Sequence, residues 1–128
     1  MRTTKSMNQS LLLDLKKPSA PALNLFRLQI ARLVAEYCRE LGVECKQIKL
    51  RPLRSRWGSC TAAGVITINL KLRDAPGALL EYVVYHECLH LVYKNHGSEF
   101  QARLRSKFPN YRHFNRLLKT YGTKLFAK

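Results

Sequence analysis

His86-Glu87-Cys88-Leu89-His90, followed by His96 within Lys94-Asn95-His96-Gly97, is the segment of this chain whose residue types and spacing can do chemistry. Two histidines four apart project from one face of a helix. Their imidazoles can converge on one zinc ion at ~2.0–2.1 Å per nitrogen, and the glutamate between them can reach a water beside that ion. His96 is the candidate third ligand. Residues 91–95 leave enough chain to end the helix and turn back, and Asn95-His96-Gly97 has the composition of a turn. Glu99 is the alternative third ligand, although an acid there also complements the positive end of its own helix. Three protein ligands leave a fourth position open, as in catalytic rather than structural zinc sites.

Neutral imidazoles bind zinc without cancelling its charge, so the ion can lower the pKa of water to roughly 7 and polarise a carbonyl or phosphoryl oxygen. Glu87 is the candidate general base, taking the proton and carrying it to the leaving group. The element that carries these residues must be central. Pro76 can open a helix, and the run to about Tyr93 is apolar nearly all the way round, with Leu79, Leu80, Val83, Val84, Leu89, Leu91 and Val92. Histidines and a glutamate on a buried helix require a metal or a polar network to satisfy them.

Other elements must pack around that helix. Leu25, Leu28, Ile30, Leu33, Val34, Tyr37 and Leu41 recur at helical spacing over residues 23–41, and Gly42 is a C-cap. Val43, Cys45, Ile48 and Leu50 begin an extended pattern, continued by residues 56–60 and, after Ala62-Ala63-Gly64, by residues 65–70. Ser98 and Gln101 suggest a capping box for a helix ended by Pro109, and residues 111–121 form a basic amphipathic helix. The predicted class is α+β: a small antiparallel sheet packed against a buried HExxH helix with flanking helices. Residues 1–21, ending in Pro18-Ser19-Ala20-Pro21, read as a mobile tether, and residues 22–128 as one domain.

The composition agrees: 128 residues with 46% apolar character suffice for one core. Cys38, Cys45, Cys60 and Cys88 form no CxxC pair and read as reduced thiols rather than ligands or a disulfide framework. Leu11-Leu12-Leu13 is too short an apolar run for a signal peptide or a membrane span, so a cytoplasmic protein with no membrane partner is expected. The net charge is +15, and no acid follows Glu99. Arg103, Arg105, Lys107, Arg112, Arg116 and Lys119 are candidates for weak, sequence-independent contact with nucleic acid or nucleotides; solubilising surface charge is the competing reading.

Arg56-Trp57-Gly58-Ser59-Cys60, residues 65–70, Ala75-Pro76, Tyr82-Val83-Val84-Tyr85-His86-Glu87, His90-Leu91, Asn95-His96, Phe100 and Pro109-Asn110-Tyr111 follow one pattern in order. It resembles that of the YgjP-like metallopeptidases, relatives of the SprT-like zincins, over roughly residues 54–122. The resemblance implies a zincin-like fold, zinc ligands at His86, His90 and His96, and a catalytic glutamate at Glu87. The chain looks like a compact version, since family members often carry a longer amino-terminal region. The His90-to-His96 spacing also equals that of metzincins, but Tyr93 stands where those enzymes have glycine, and no Met-turn sequence follows.

Trp57, Gly58 and Ser59 are candidate substrate-binding residues, because a strand beside the metal can hold an extended substrate by backbone pairing. The alternative is a core Trp57 and a bulge at Gly58. Tyr111 can serve an oxyanion if the last helix folds over the site, or simply pack; His113 reads as solvated. The leading function is a zinc-dependent peptidase acting on a peptide or protein substrate with one Zn2+. Two alternatives stand beside it: nucleoside triphosphate (pyro)phosphatase activity on the same metal site, and a non-enzymatic nucleic-acid-binding module with structural zinc.

Overall fold

In the computed structural model, which describes residues 20–125 and side chains over residues 22–122, the chain begins with helix α1 (Ala20–Leu41). Ala20 and Pro21, expected to belong to a tether, instead open this helix, where a proline in the first turn forfeits no helical hydrogen bond. The rest of the expected tether lies outside the described residues. The buried stripe is Phe26, Ile30, Val34, Tyr37 and Cys38. Leu25 and Leu28, expected in the core, are 69% and 66% exposed. The reason is angular: at 100° per residue, Leu28 falls on the face opposite Phe26 and Ile30. Gly42 ends the helix at φ +71, and the bonds from Val43 N to Cys38 O and from Gly42 N to Arg39 O close a Schellman motif.

Three strands follow, β1 (Gln47–Arg51), β2 (Gly58–Cys60) and β3 (Val65–Asn69), in the spatial order β1-β3-β2. β2 and β3 form an antiparallel hairpin around Gly64, whose φ of +92 suits only glycine there. β1 pairs with β3 in parallel, Gln47 opposite Val65. The sheet is therefore mixed where an antiparallel one was expected. Two chain reversals separate β1 from β3, so the two strands run the same way, and the hairpin has already claimed the other edge of β3.

A 3-10 turn (Leu70–Asp74) leads to α2 (Gly77–Leu89), followed by α3 (Ser98–Lys107) and α4 (Tyr111–Leu125). α2 buries Leu79, Leu80, Tyr82, Val83, Val84, Tyr85, Glu87, Cys88 and Leu89, as its all-round apolar pattern implies. It touches α1, β2, β3, α3 and α4. Tyr82 stacks on Phe114 at 5.0 Å, and Tyr85 meets Tyr37 edge-on at 5.0 Å, tying α4 and α1 to its two flanks. The helix ends four residues sooner than its apolar run suggested. After Leu89 the bonds shorten to the i−3 pattern, from His90 N to Glu87 O through Val92 N to Leu89 O. At α3 the cap is Gly97, not Ser98, and no side-chain capping bond forms. Among the described residues no helix is long and apolar enough to cross a membrane.

Candidate metal centre and cleft

His86 lies in the last turn of α2 and His90 is its C-cap, still in right-handed helical conformation, so the helical spacing carries both imidazoles to one side. His96 comes back from the following loop. Asn95 Oδ1 accepts from Gly97 N at 3.1 Å, a local turn that reverses the chain around His96. One nitrogen from each of the three histidines lies within 4.8 Å of the others. Among the described residues, no other group of three histidine, cysteine or acidic side chains converges so closely.

These residues fit one ion. Nε2 of His90 and Nε2 of His96 are 3.0 Å apart, close to the roughly 3.3 Å between two nitrogens on a tetrahedral zinc at ~2.0–2.1 Å. Nδ1 of His90 lies 3.1 Å from the Tyr93 carbonyl. Donation to that carbonyl places the ring proton on Nδ1 and leaves the Nε2 lone pair facing the cluster. Burial, then the neighbouring His86 and His90, holds the His96 pKa below its ordinary value, which favours the neutral ring that a metal needs. Phe100 of α3, 1% exposed, underlies all three rings, with centroids 5.0, 4.8 and 4.8 Å away. Glu99 is exposed on another part of α3, beside Tyr93 and Arg103, and does not join the cluster.

Among the described residues Glu87 is the one carboxylate lining this site, and it is only 5% exposed. Its Oε2 lies 3.3 Å from Nδ1 of His86. Gly58, at the start of β2, makes the space: a Cβ there would stand 3.0 Å from Glu87 Cγ and 3.1 Å from both Glu87 Oε2 and the Thr67 carbonyl. Close approach of a side chain, not a bulge, accounts for this glycine. Ser59 and Cys60 continue β2 along the cleft, of about 350 Å³, that also holds Arg56, Lys94 and the three histidines. Burial and the nearby Glu87 push the Cys60 thiol up to about 11, so it stays protonated.

Asn69 is a positioning residue that sequence reasoning missed. It is fully buried, and its Nδ2 donates to Arg56 O at 2.9 Å and Leu53 O at 3.2 Å, while Oδ1 accepts from Lys71 N at 3.0 Å. One side chain thus fixes the loop that delivers Arg56, Trp57 and Gly58. An asparagine closing an apolar strand was the available signal.

A family model for the YgjP-like metallopeptidase domain matches residues 22–121. The chain belongs to the YgjP-like metallopeptidase family. Like its family, it is a metal-dependent hydrolase. Among curated proteins nothing matches this YgjP-like chain. Its fold is similar to that of the metallopeptidase zymogen jannalysin of Methanocaldococcus jannaschii, with TM-score 0.65 and 23% identity over 72% of this chain and 95% of that one. It is also similar to the zymogen abylysin of Pyrococcus abyssi, with TM-score 0.63 and 20% identity over 71% and 93%.

The remaining candidates divide. Trp57 and Gly58 line a second cleft of about 290 Å³ beside the first, together with Arg56, Tyr82, Val83, His86, Glu87, Asn115 and Leu118. Tyr111 lines neither cleft; it sits under the Arg105 guanidinium at 4.8 Å, and α4 sends Asn115 and Leu118 instead. Lys107, a candidate for nucleic acid, is engaged by Glu40 at 2.7 Å and lies over the rings of Tyr37 and Tyr85. Arg103, Arg105, Arg112, Arg116 and Lys119 are exposed.

Proposed function

We propose that this YgjP-like protein is a zinc peptidase in which His86, His90 and His96 hold one ion and Glu87 is the general base. The observation that carries the reading is the buried Glu87 carboxylate, wedged against Gly58 at the lip of an edge strand and beside the histidine cluster. A zinc ion held by the three histidines would lower the pKa of water to roughly 7 and polarise a substrate carbonyl. Glu87, packed against Gly58, takes the proton from the attacking water and returns it to the leaving amine.

The strand supports a peptide as substrate. β2 pairs with β3 along one edge only, and among the described residues no strand covers the other. An extended peptide can add there by main-chain hydrogen bonds and lie across the histidines. That free edge favours a peptide over a nucleoside triphosphate, and the buried acid beside an open three-ligand set favours catalysis over a structural zinc. The test is the zinc-loaded protein assayed on a peptide library and a nucleoside triphosphate panel, with Glu87→Gln alongside. The expected result is peptide cleavage, and at least about a hundredfold loss in a Glu87→Gln protein that still binds stoichiometric zinc. Equal activity of the two proteins removes Glu87 from the reaction, and hydrolysis of nucleotides alone replaces the substrate.

A further inference from the structure

The second cleft has a polar composition that the reaction itself does not use. Its walls are apolar, from Trp57, Val83 and Leu118, and its polar members other than the catalytic pair are Arg56, Tyr82 and Asn115. The Tyr82 hydroxyl donates to Asn115 Oδ1 at 2.7 Å. With Tyr82 on its Oδ1, Asn115 keeps its NH2 as a donor for a ligand, and a guanidinium offers donors alone. Among the described residues the Arg56 guanidinium has no ion-pair partner, while the Arg56 carbonyl is anchored by Asn69. Arg56 and Asn115 therefore present donors to whatever enters. The one acid among the lining residues is Glu87, the floor shared with the metal cleft.

At about 290 Å³ the cleft lies at the small end of ligand pockets and has room for one side chain. It shares Arg56, Gly58, His86 and Glu87 with the metal cleft, so a side chain seated in it belongs to a residue flanking the bond being cut. We propose that the cleft between Trp57, Val83 and Leu118 is a specificity pocket that selects an acidic substrate side chain, its carboxylate bound by Arg56 and Asn115. The apolar walls take the methylenes of a glutamate, and a guanidinium matches a carboxylate by two parallel hydrogen bonds. Lys94, which lines the metal cleft, and the net charge of +15 add an attractive field for an acidic peptide.

The assignment deepens the peptidase reading and rests on it, so its test reads binding as well as cleavage. Dye-labelled, end-blocked hexapeptides that differ only in one central residue, Glu, Gln or Lys, are titrated into zinc-loaded Glu87→Gln protein and followed by fluorescence anisotropy. The Glu peptide should bind at least about tenfold more tightly than the Gln peptide, as expected of a charge-assisted pair. Arg56→Ala should bring that ratio near one, and Arg56→Glu should turn the preference to Lys. Asn115→Asp keeps an acceptor for Tyr82 but replaces the donor by a like charge, and should cut the Glu preference. Equal binding of the three peptides, or a Glu preference that survives Arg56→Ala, overturns the pocket. Arg56-dependent binding of the Glu peptide with no cleavage by wild type would overturn the peptidase reading and leave the pocket standing.

Discussion

Gly58→Ala adds one methyl group and changes no chemical function, which makes it the sharpest probe of how the candidate base is held. Gly58 does not have a positive φ, so alanine meets no backbone strain and the effect is one of space. The new Cβ would lie 3.0 Å from Glu87 Cγ and 3.1 Å from Glu87 Oε2 and the Thr67 carbonyl. Such contacts are tighter than an ordinary van der Waals contact, so a few tenths of an ångström must be recovered. Thr67 O cannot supply it, because Thr67 belongs to the central strand, paired with Lys49 on one side and Ser59 on the other. The displacement falls on Glu87. Overpacking of this kind costs about 1–3 kcal/mol, and each kcal/mol lowers Tm by about 3–5 °C in a chain of 128 residues. A misplaced reacting group costs up to about a hundredfold per Å, so a shift of a few tenths of an ångström should lower kcat by roughly three- to sixfold. No histidine is among the three atoms nearest the new Cβ, and zinc affinity from a competitive chelator titration should stay within about threefold of wild type. A Gly58→Ala protein with wild-type kcat and Tm would refute the packing argument; loss of zinc would show that the methyl acts on the ligands instead.

Three further outcomes are expected. His96→Ala should lower zinc affinity by more than the roughly 10–100-fold typical of losing an outer partner, while Glu99→Ala leaves it unchanged in the same titration; the reverse pattern moves the third ligand to Glu99. Asn69→Ala removes three hydrogen bonds and should destabilise the fold by at least about 2 kcal/mol in urea unfolding, with Asn69→Asp intermediate because it keeps the bond from Lys71 N. The exposed arginines of α3 and α4 should bind nucleic acid weakly with a steep salt dependence in anisotropy titrations; Arg103→Ala and Arg116→Ala should each reduce the log–log salt slope by about one, and Lys107→Ala, already paired with Glu40, much less. No binding at low salt would leave these charges with solubility alone.

The HExxH helix was legible because its information is local. A backbone bonded every 3.6 residues places residues four apart on one face wherever the helix sits, so His86 and His90 could be paired on paper. Gly42 as a cap and Gly64 as a turn were readable for the same reason, since each turn needs a conformation that glycine adopts freely. Other readings failed where two local patterns were both satisfied. Leu25 and Leu28 fit a helical period as well as Phe26 and Ile30 do, and only the position of α2 chose between the faces. The apolar run past Leu89 fit a longer helix, whereas the chain tightens there and turns His96 back toward the site.

The sequence by itself determined the residue types, the helical pairing of two histidines with a glutamate between them, and the family pattern around them. Only the tertiary structure decided that β1 runs parallel to β3, that Glu87 rests in the space left by Gly58, that Phe100 underlies the three imidazoles, and that Asn69 secures the strand beside them. The physical reason is one of range. Backbone hydrogen bonding sets spacing within an element, but contact between side chains remote in sequence depends on volumes and orientations that exist only once every element is packed.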